Sequence, residues 1–130
     1  KASILNGRNG VMPALGAGLG PESTRDVANF VLSLSGRQHD TARAERGREK
    51  FQAMCVACHG AEGKGNTQLG APNLTDKVWL HGSSEEQVVE TITKGRNSVM
   101  PAHRDFLGEA KAHILAAYVY GLGGSAAPAK

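Results

Sequence analysis

The chain has 130 residues, a formal net charge of +3 and only 5% aromatic residues, with 17 glycines. That length holds one compact domain plus a substantial further piece. The charge is too weak and scattered for a nucleic-acid surface, and no apolar run approaches the roughly 20 residues of a membrane-spanning helix.

In chain order, Lys1 stands inside a patterned segment without the basic and apolar regions of a signal peptide, so the chain reads as a fragment of something longer. After "GRNGVMPA", the stretch "STRDVANFVLSLSG" predicts a helix with Val27, Phe30, Val31 and Leu34 on one face. Gly36 is its stop, and Ser23 with Asp26 offers a capping box. "GRQHDTAR" is a linker, and "TARAERGREKFQAMCVACH" predicts a second helix carrying Ala44, Gly47, Phe51, Met54, Cys55 and Cys58 at helical spacing. The basic stretch Arg43–Lys50, interrupted by Glu45 and Glu49, reads as a solvated face of that helix.

Gly60 to Lys77 reads as a long glycine-rich loop wrapped around something, as a loop of that length in a compact domain is usually functional. "SSEEQVVETITKG" predicts a third helix, with a Ser84–Gln87 capping box, an apolar face of Val88, Val89 and Ile92, and Gly95 as its stop. "GRNSVMPAH" follows, then a helix over Glu109–Leu122 with Ile114, Leu115, Tyr118, Val119 and Leu122 on one face. No alternating strand pattern stands out. The expected class is all-α, with residues 125–130 a disordered tail.

The chain repeats itself. In one ungapped register Ile4 falls on Ile92, Gly7-Arg8-Asn9 on Gly95-Arg96-Asn97, and Val11-Met12-Pro13-Ala14 on Val99-Met100-Pro101-Ala102. The register continues through Phe30 on Tyr118 and Val31 on Val119 to Gly36 on Gly124. This is a duplicated unit. Residues 37–91 have no counterpart before the first copy. Residues 1–36 therefore read as the C-terminal remnant of one domain, 37–43 as linker and 44–124 as a complete domain.

Residues 55–60 spell Cys-Val-Ala-Cys-His-Gly. C-x-x-C-H is the attachment signature of c-type haem. On a helix Cys55, Cys58 and His59 share one face. Both thiols can then bond to the two vinyl positions along one porphyrin edge while His59 turns under the iron. A zinc site would need more ligands, and His81, His103 and His113 stand at no familiar spacing. A thioredoxin-like dithiol wants a βαβ context, and a Cys55–Cys58 disulfide would strain a helix.

A haem iron takes a sixth ligand, commonly methionine in cytochromes c. Met54 adjoins Cys55 and reads as core. Met12 and Met100 each precede proline, which biases the chain towards extended backbone suited to laying a thioether across a flat cofactor. Met100 follows His59 by enough chain to wrap the haem. It is the expected ligand.

Together these motifs resemble a class I cytochrome c domain over residues 41–123. The resemblance implies that the first and last helices cross through Gly47 and Phe51 against Tyr118 and Leu122. It also implies that the Pro72 carbonyl accepts a hydrogen bond from His59, orienting the ring. Trp79 resembles the tryptophan that reaches a haem propionate, with simple packing as the other reading. Arg96 suits a propionate or solvent.

"CVACHGAEGKGN", "LGAPNLTDKVWLHG" and "GRNSVMPAH", preceded by a second "GRNGVMPA", are similar to the dihaem cytochrome c subunit of cbb3-type cytochrome c oxidases. That family has a membrane anchor and two periplasmic cytochrome c domains. This chain lacks the anchor and the first C-x-x-C-H, so Met12 is left without a haem of its own. The Val27, Phe30, Val31 and Leu34 face must bury against the second domain or another copy, in a swapped dimer.

The resemblance implies a bacterial periplasmic location and one covalent haem c held by Cys55, Cys58, His59 and Met100. It implies one-electron transfer from a donor cytochrome c towards the other oxidase subunits, with no catalytic residue here and no nucleic acid as partner. The alternatives are a cytochrome domain of another periplasmic redox enzyme, a free diffusible cytochrome, and a haem-based sensor or peroxidase in which the methionine leaves or His103 replaces it.

Overall fold

The structure, a computed structural model, describes residues 1–124; the expected disordered tail lies outside the described residues. Its elements are α1 (Ala2–Asn6), β1 (Arg8–Met12), α2 (Gly16–Leu19), α3 (Pro21–Leu34), α4 (Thr41–Met54), α5 (Val56–His59), α6 (Glu85–Lys94), β2 (Arg96–Met100) and α7 (Arg104–Gly124). The fold is mostly helical, with one departure from the all-α expectation. The two Arg-Asn-x-Val-Met segments pair as a two-stranded sheet. Five residues bounded by glycine or proline are too few to display a strand's alternation, but extended backbone before proline is ready to pair.

The described chain forms two compact units. One is Gly10–Asn97; the other joins Lys1–Asn9 to the segment from Ser98 onward. The repeat copies and the compact units are therefore different divisions of the chain.

In the larger unit, α3, α4 and α6 enclose the core: Val27, Ala28, Phe30, Val31 and Leu32 pack with Ala44, Phe51, Cys55, Val88 and Ile92. The apolar stripe of α3 is thus buried, mainly against α4. At the crossing, a Cβ on Gly47 would run into the backbone of Asp26 and Val27. Phe51, fully buried, meets Phe30 with ring centroids 5.0 Å apart at 54°. The close glycine and aromatic crossing expected of α4 is present, but its partner here is α3. Tyr118 and Leu122, its expected partners, are 64% and 65% exposed.

Polar pairs fasten the same crossing. Arg43 Nη1 donates to Asp26 Oδ1 at 2.9 Å and Arg46 Nε to Asp26 Oδ2 at 3.1 Å. Arg43 Nη2 also lies 3.0 Å from Glu22 Oε2, and the Asp40 amide donates to Asn29 Oδ1 at 2.8 Å. Arg43 is therefore engaged at the crossing, while Glu45, Arg46, Arg48, Glu49 and Lys50 remain exposed, as the solvated-face reading expects. Asp26 serves Arg43 and Arg46 and not a capping box with Ser23. The helix starts earlier, at Pro21 after Gly20, where proline's fixed φ suits the first turn. Asp40 caps α4 through the Arg43 amide at 3.0 Å. The Ser84–Gln87 capping box of α6 is present as read from sequence.

In the smaller unit α1 packs on α7, burying Leu5 and Ala112. Arg104 Nη2 donates to Asn6 Oδ1 at 2.9 Å, and Lys1 lies 3.6 Å from Glu109. Gly108, at φ 73° and ψ 171°, interrupts α7, so the helix predicted from Glu109 is its longer part.

Candidate functional site

The helix expected to run through to His59 breaks at Cys55. That residue ends α4 and opens the one-turn α5, its carbonyl accepting from Cys58 N at 3.2 Å and His59 N at 2.9 Å. The tightened turn keeps Cys55, Cys58 and His59 together. Cys55 is buried, Cys58 exposed and His59 buried. Burial pushes the Cys55 thiol up to about 11, and the neighbouring Cys58 adds to it. Both effects favour its thiol form at neutral pH. Among the described residues no three His, Cys, Asp or Glu side chains converge as metal ligands.

The loop after Gly60 is tied back onto this turn. Gly65 N donates to the His59 carbonyl at 2.8 Å, and Leu74 N to the Gly63 carbonyl at 2.7 Å. Gly65 sits at φ 87°, and a Cβ there would collide with Ala71 O and Pro72. Only glycine lets the loop close so tightly. The closure delivers the Pro72 carbonyl to His59 Nδ1 at 3.1 Å. A carbonyl only accepts, so Nδ1 carries the proton and Nε2 keeps its lone pair for a metal. This is the contact that the resemblance implies.

Trp79 is half-buried against the core cluster, and its buried Nε1 is one of the few buried polar atoms, among the described residues, with no hydrogen-bond partner. An orphaned donor at such a place fits a carboxylate from a bound group better than simple packing. Arg96 Nε donates to Thr91 Oγ1 at 3.0 Å, which uses neither NH2 group of its guanidinium. The residues present fit a c-type haem: Cys55 and Cys58 for the thioether bonds, His59 Nε2 for the iron, and Trp79 for a propionate.

One methionine is placed differently from expectation. Met54, read as core, is 39% exposed. Met100 is 41% exposed and belongs to the smaller unit. Met12 belongs to the larger unit with His59, and packs half-buried against its core cluster. Its segment is fastened by Leu15 N donating to the Ile92 carbonyl at 2.9 Å and by the close approach of Met12 O to Gly95.

A mostly helical fold with a C-x-x-C-H turn and a histidine oriented by a proline carbonyl defines a cytochrome c domain. The family described as cytochrome c oxidase, cbb3-type, subunit III, matches residues 42–119, and the chain belongs to it. The chain is 45% identical over 123 residues to the cbb3-type cytochrome c oxidase subunit CcoP of Rubrivivax gelatinosus, covering 94% of this chain and 40% of that protein. It is 49% identical over 122 residues to the subunit FixP of Bradyrhizobium sp. (strain ORS 278), covering 90% and 41%. It is 44% identical over 115 residues to CcoP of Cereibacter sphaeroides, covering 87% and 40%. The chain thus spans about two fifths of the length of these relatives. Among the described residues no helix is long and apolar enough to cross a membrane.

Proposed function

We propose that this chain is a one-electron carrier built on a single c-type haem, bonded through Cys55 and Cys58 and ligated by His59 and by Met100 of the second Val-Met-Pro-Ala segment. The observation that carries the reading is the buried His59 ring, held by Pro72 with Nε2 free, one turn from both cysteines. When bound, such a haem supplies an iron that cycles between two oxidation states. The protein's work is to hold the ligand atoms still so that little has to move when the charge changes. The Pro72 carbonyl fixes the tautomer and plane of His59. A thioether in the sixth position favours the reduced state and closes the iron to small molecules. The burial of His59 among helices and the tied loop keeps water from the ring.

By its relatives' names the parent protein serves a cbb3-type oxidase. The electron then passes from a donor cytochrome c to the other oxidase subunits, and oxygen chemistry lies elsewhere in the complex. The place of action is the periplasm, with the parent anchored in the inner membrane. Reductive titration of the holoprotein, followed by exposure of the reduced form to carbon monoxide, tests the reading. A reversible one-electron transition and inertness to carbon monoxide are expected. Carbon monoxide binding at neutral pH would favour the sensor class instead.

A further inference from the structure

The set of the His59 ring depends on where the Pro72 carbonyl points, and proline decides only part of that. Its ring fixes φ but leaves ψ free, and it has no N–H with which to anchor itself. The direction of the carbonyl is therefore decided by the planar peptide unit that joins Pro72 to Asn73, and by what holds Asn73.

That peptide unit is held on several sides. Before it, Ala71 exchanges two backbone hydrogen bonds with Asn66, at 2.9 and 3.0 Å. Against it lies Gly65, where the place of a Cβ is 2.7 Å from the Pro72 carbonyl carbon and 2.8 Å from Asn73 N. After it, Leu74 N donates to the Gly63 carbonyl at 2.7 Å. The side chain that closes this clamp is that of Asn73. Its Oδ1 accepts from Thr75 N at 2.8 Å and from Thr75 Oγ1 at 2.6 Å. Both residues are half-buried, which strengthens these bonds over their worth in water. Two donors on one oxygen fix the Asn73 side chain, and with it the backbone that carries the Pro72 carbonyl. Asn66 also accepts two amides, from Gln68 and Leu69, but it is exposed and those bonds shape the tip of the loop.

We infer that Asn73, pinned by Thr75, is a positioning residue for His59. It keeps the Pro72 carbonyl on the Nδ1 proton and so holds the plane of the ring while the iron changes charge. The inference rests on the reading of His59 as an iron ligand above.

The test follows solvent exchange of the His59 Nδ1 proton by NMR in the reduced holoprotein, against the core amides of Val88 and Ile92. Asn73→Ala speeds the ring proton by about tenfold or more and leaves the two amides unchanged, because the opening is local. Asn73→Asp keeps an oxygen for Thr75 and exchanges as the wild type does. The role is overturned by an unmoved ring proton in Asn73→Ala, by ring proton and amides quickening together, or by Asn73→Asp matching Asn73→Ala. Should Asn73→Ala fail to fold around its haem, Thr75→Val decides. It removes the Oγ1 donor alone, and the ring proton then exchanges about three- to tenfold faster, as for the loss of one hydrogen bond; no change overturns the role. Denaturing mass on the same samples separates the two readings. A wild-type chain without the added haem overturns the haem reading and this role with it, whereas a haem-bearing protein with an indifferent ring proton overturns the role alone.

Discussion

Gly47 and Asp26 meet backbone to backbone: the space where Gly47 would carry a Cβ is filled by the Asp26 carbonyl. Both helices are fastened there by charge and by the Phe30–Phe51 contact, so neither can shift cheaply. Gly47→Ala forces them apart, an overpacking cost of roughly 1–3 kcal/mol. The better helix propensity of alanine returns about 1 kcal/mol at most. A lowered urea midpoint of the holoprotein is expected. An unchanged or raised midpoint would mean that the crossing is looser than this geometry.

The ring pair gives a finer measure of which helix α4 holds. Phe51 is fully buried, so Phe51→Ala costs about 3–5 kcal/mol. In a double-mutant cycle with Phe30→Ala, a coupling of about 0.5–1.5 kcal/mol is expected beyond the loss of area. Additive losses, with no coupling between Phe30 and Phe51, would contradict the packing.

Asp26 makes the crossing sensitive to acid. Burial alone would raise its carboxyl, but hydrogen bonds from Arg46 and Arg43, with their charges, outweigh it and hold it below the ordinary 3.8. A carboxyl depressed on folding adds stability that is fully present above its unfolded value and is lost as pH falls through its folded value. Urea midpoints should therefore hold from neutral pH down to about 4–5 and fall below that. Asp26→Asn should be weaker at neutral pH and lose less on acidification. Parallel acid profiles for the two proteins would remove Asp26 from this role.

Trp79→Phe separates packing from a propionate contact. The ring's place in the core is largely kept, and only the Nε1 donor is lost. If Nε1 serves a haem carboxylate, the holoprotein loses about 1.5–3 kcal/mol, as for a hydrogen bond to a charged group. Unchanged or improved stability would leave Nε1 as a buried donor with no role.

Much of this was legible in the sequence because specific chemistry sits in short motifs. Cys55, Cys58 and His59 announce themselves by spacing, the Ser84–Gln87 box by its residue types, and the repeat by its ungapped register. The resemblance supplied the Pro72 contact, and Gly47 with Phe51 rightly marked a close crossing. The partner of that crossing was not legible from hydrophobic faces, since α3 and α7 present nearly the same stripe. The signal that separates them is in the sequence, as Asp26 against Ile114 and Asn29 against Ala117. It becomes readable only once Arg43 and Arg46 are known to face that helix. The paired strands escaped notice because each is too short to display a period. The break at Cys55 is a local tightening that no spacing rule records.

The most direct test of the account is the mass of the intact chain under denaturing conditions, after expression with c-type haem maturation. The prediction is the polypeptide mass plus one haem, lost when Cys55 and Cys58 are replaced by serine. A mass equal to the polypeptide alone would contradict covalent attachment, and with it the reading of His59 and Met100 as ligands to iron.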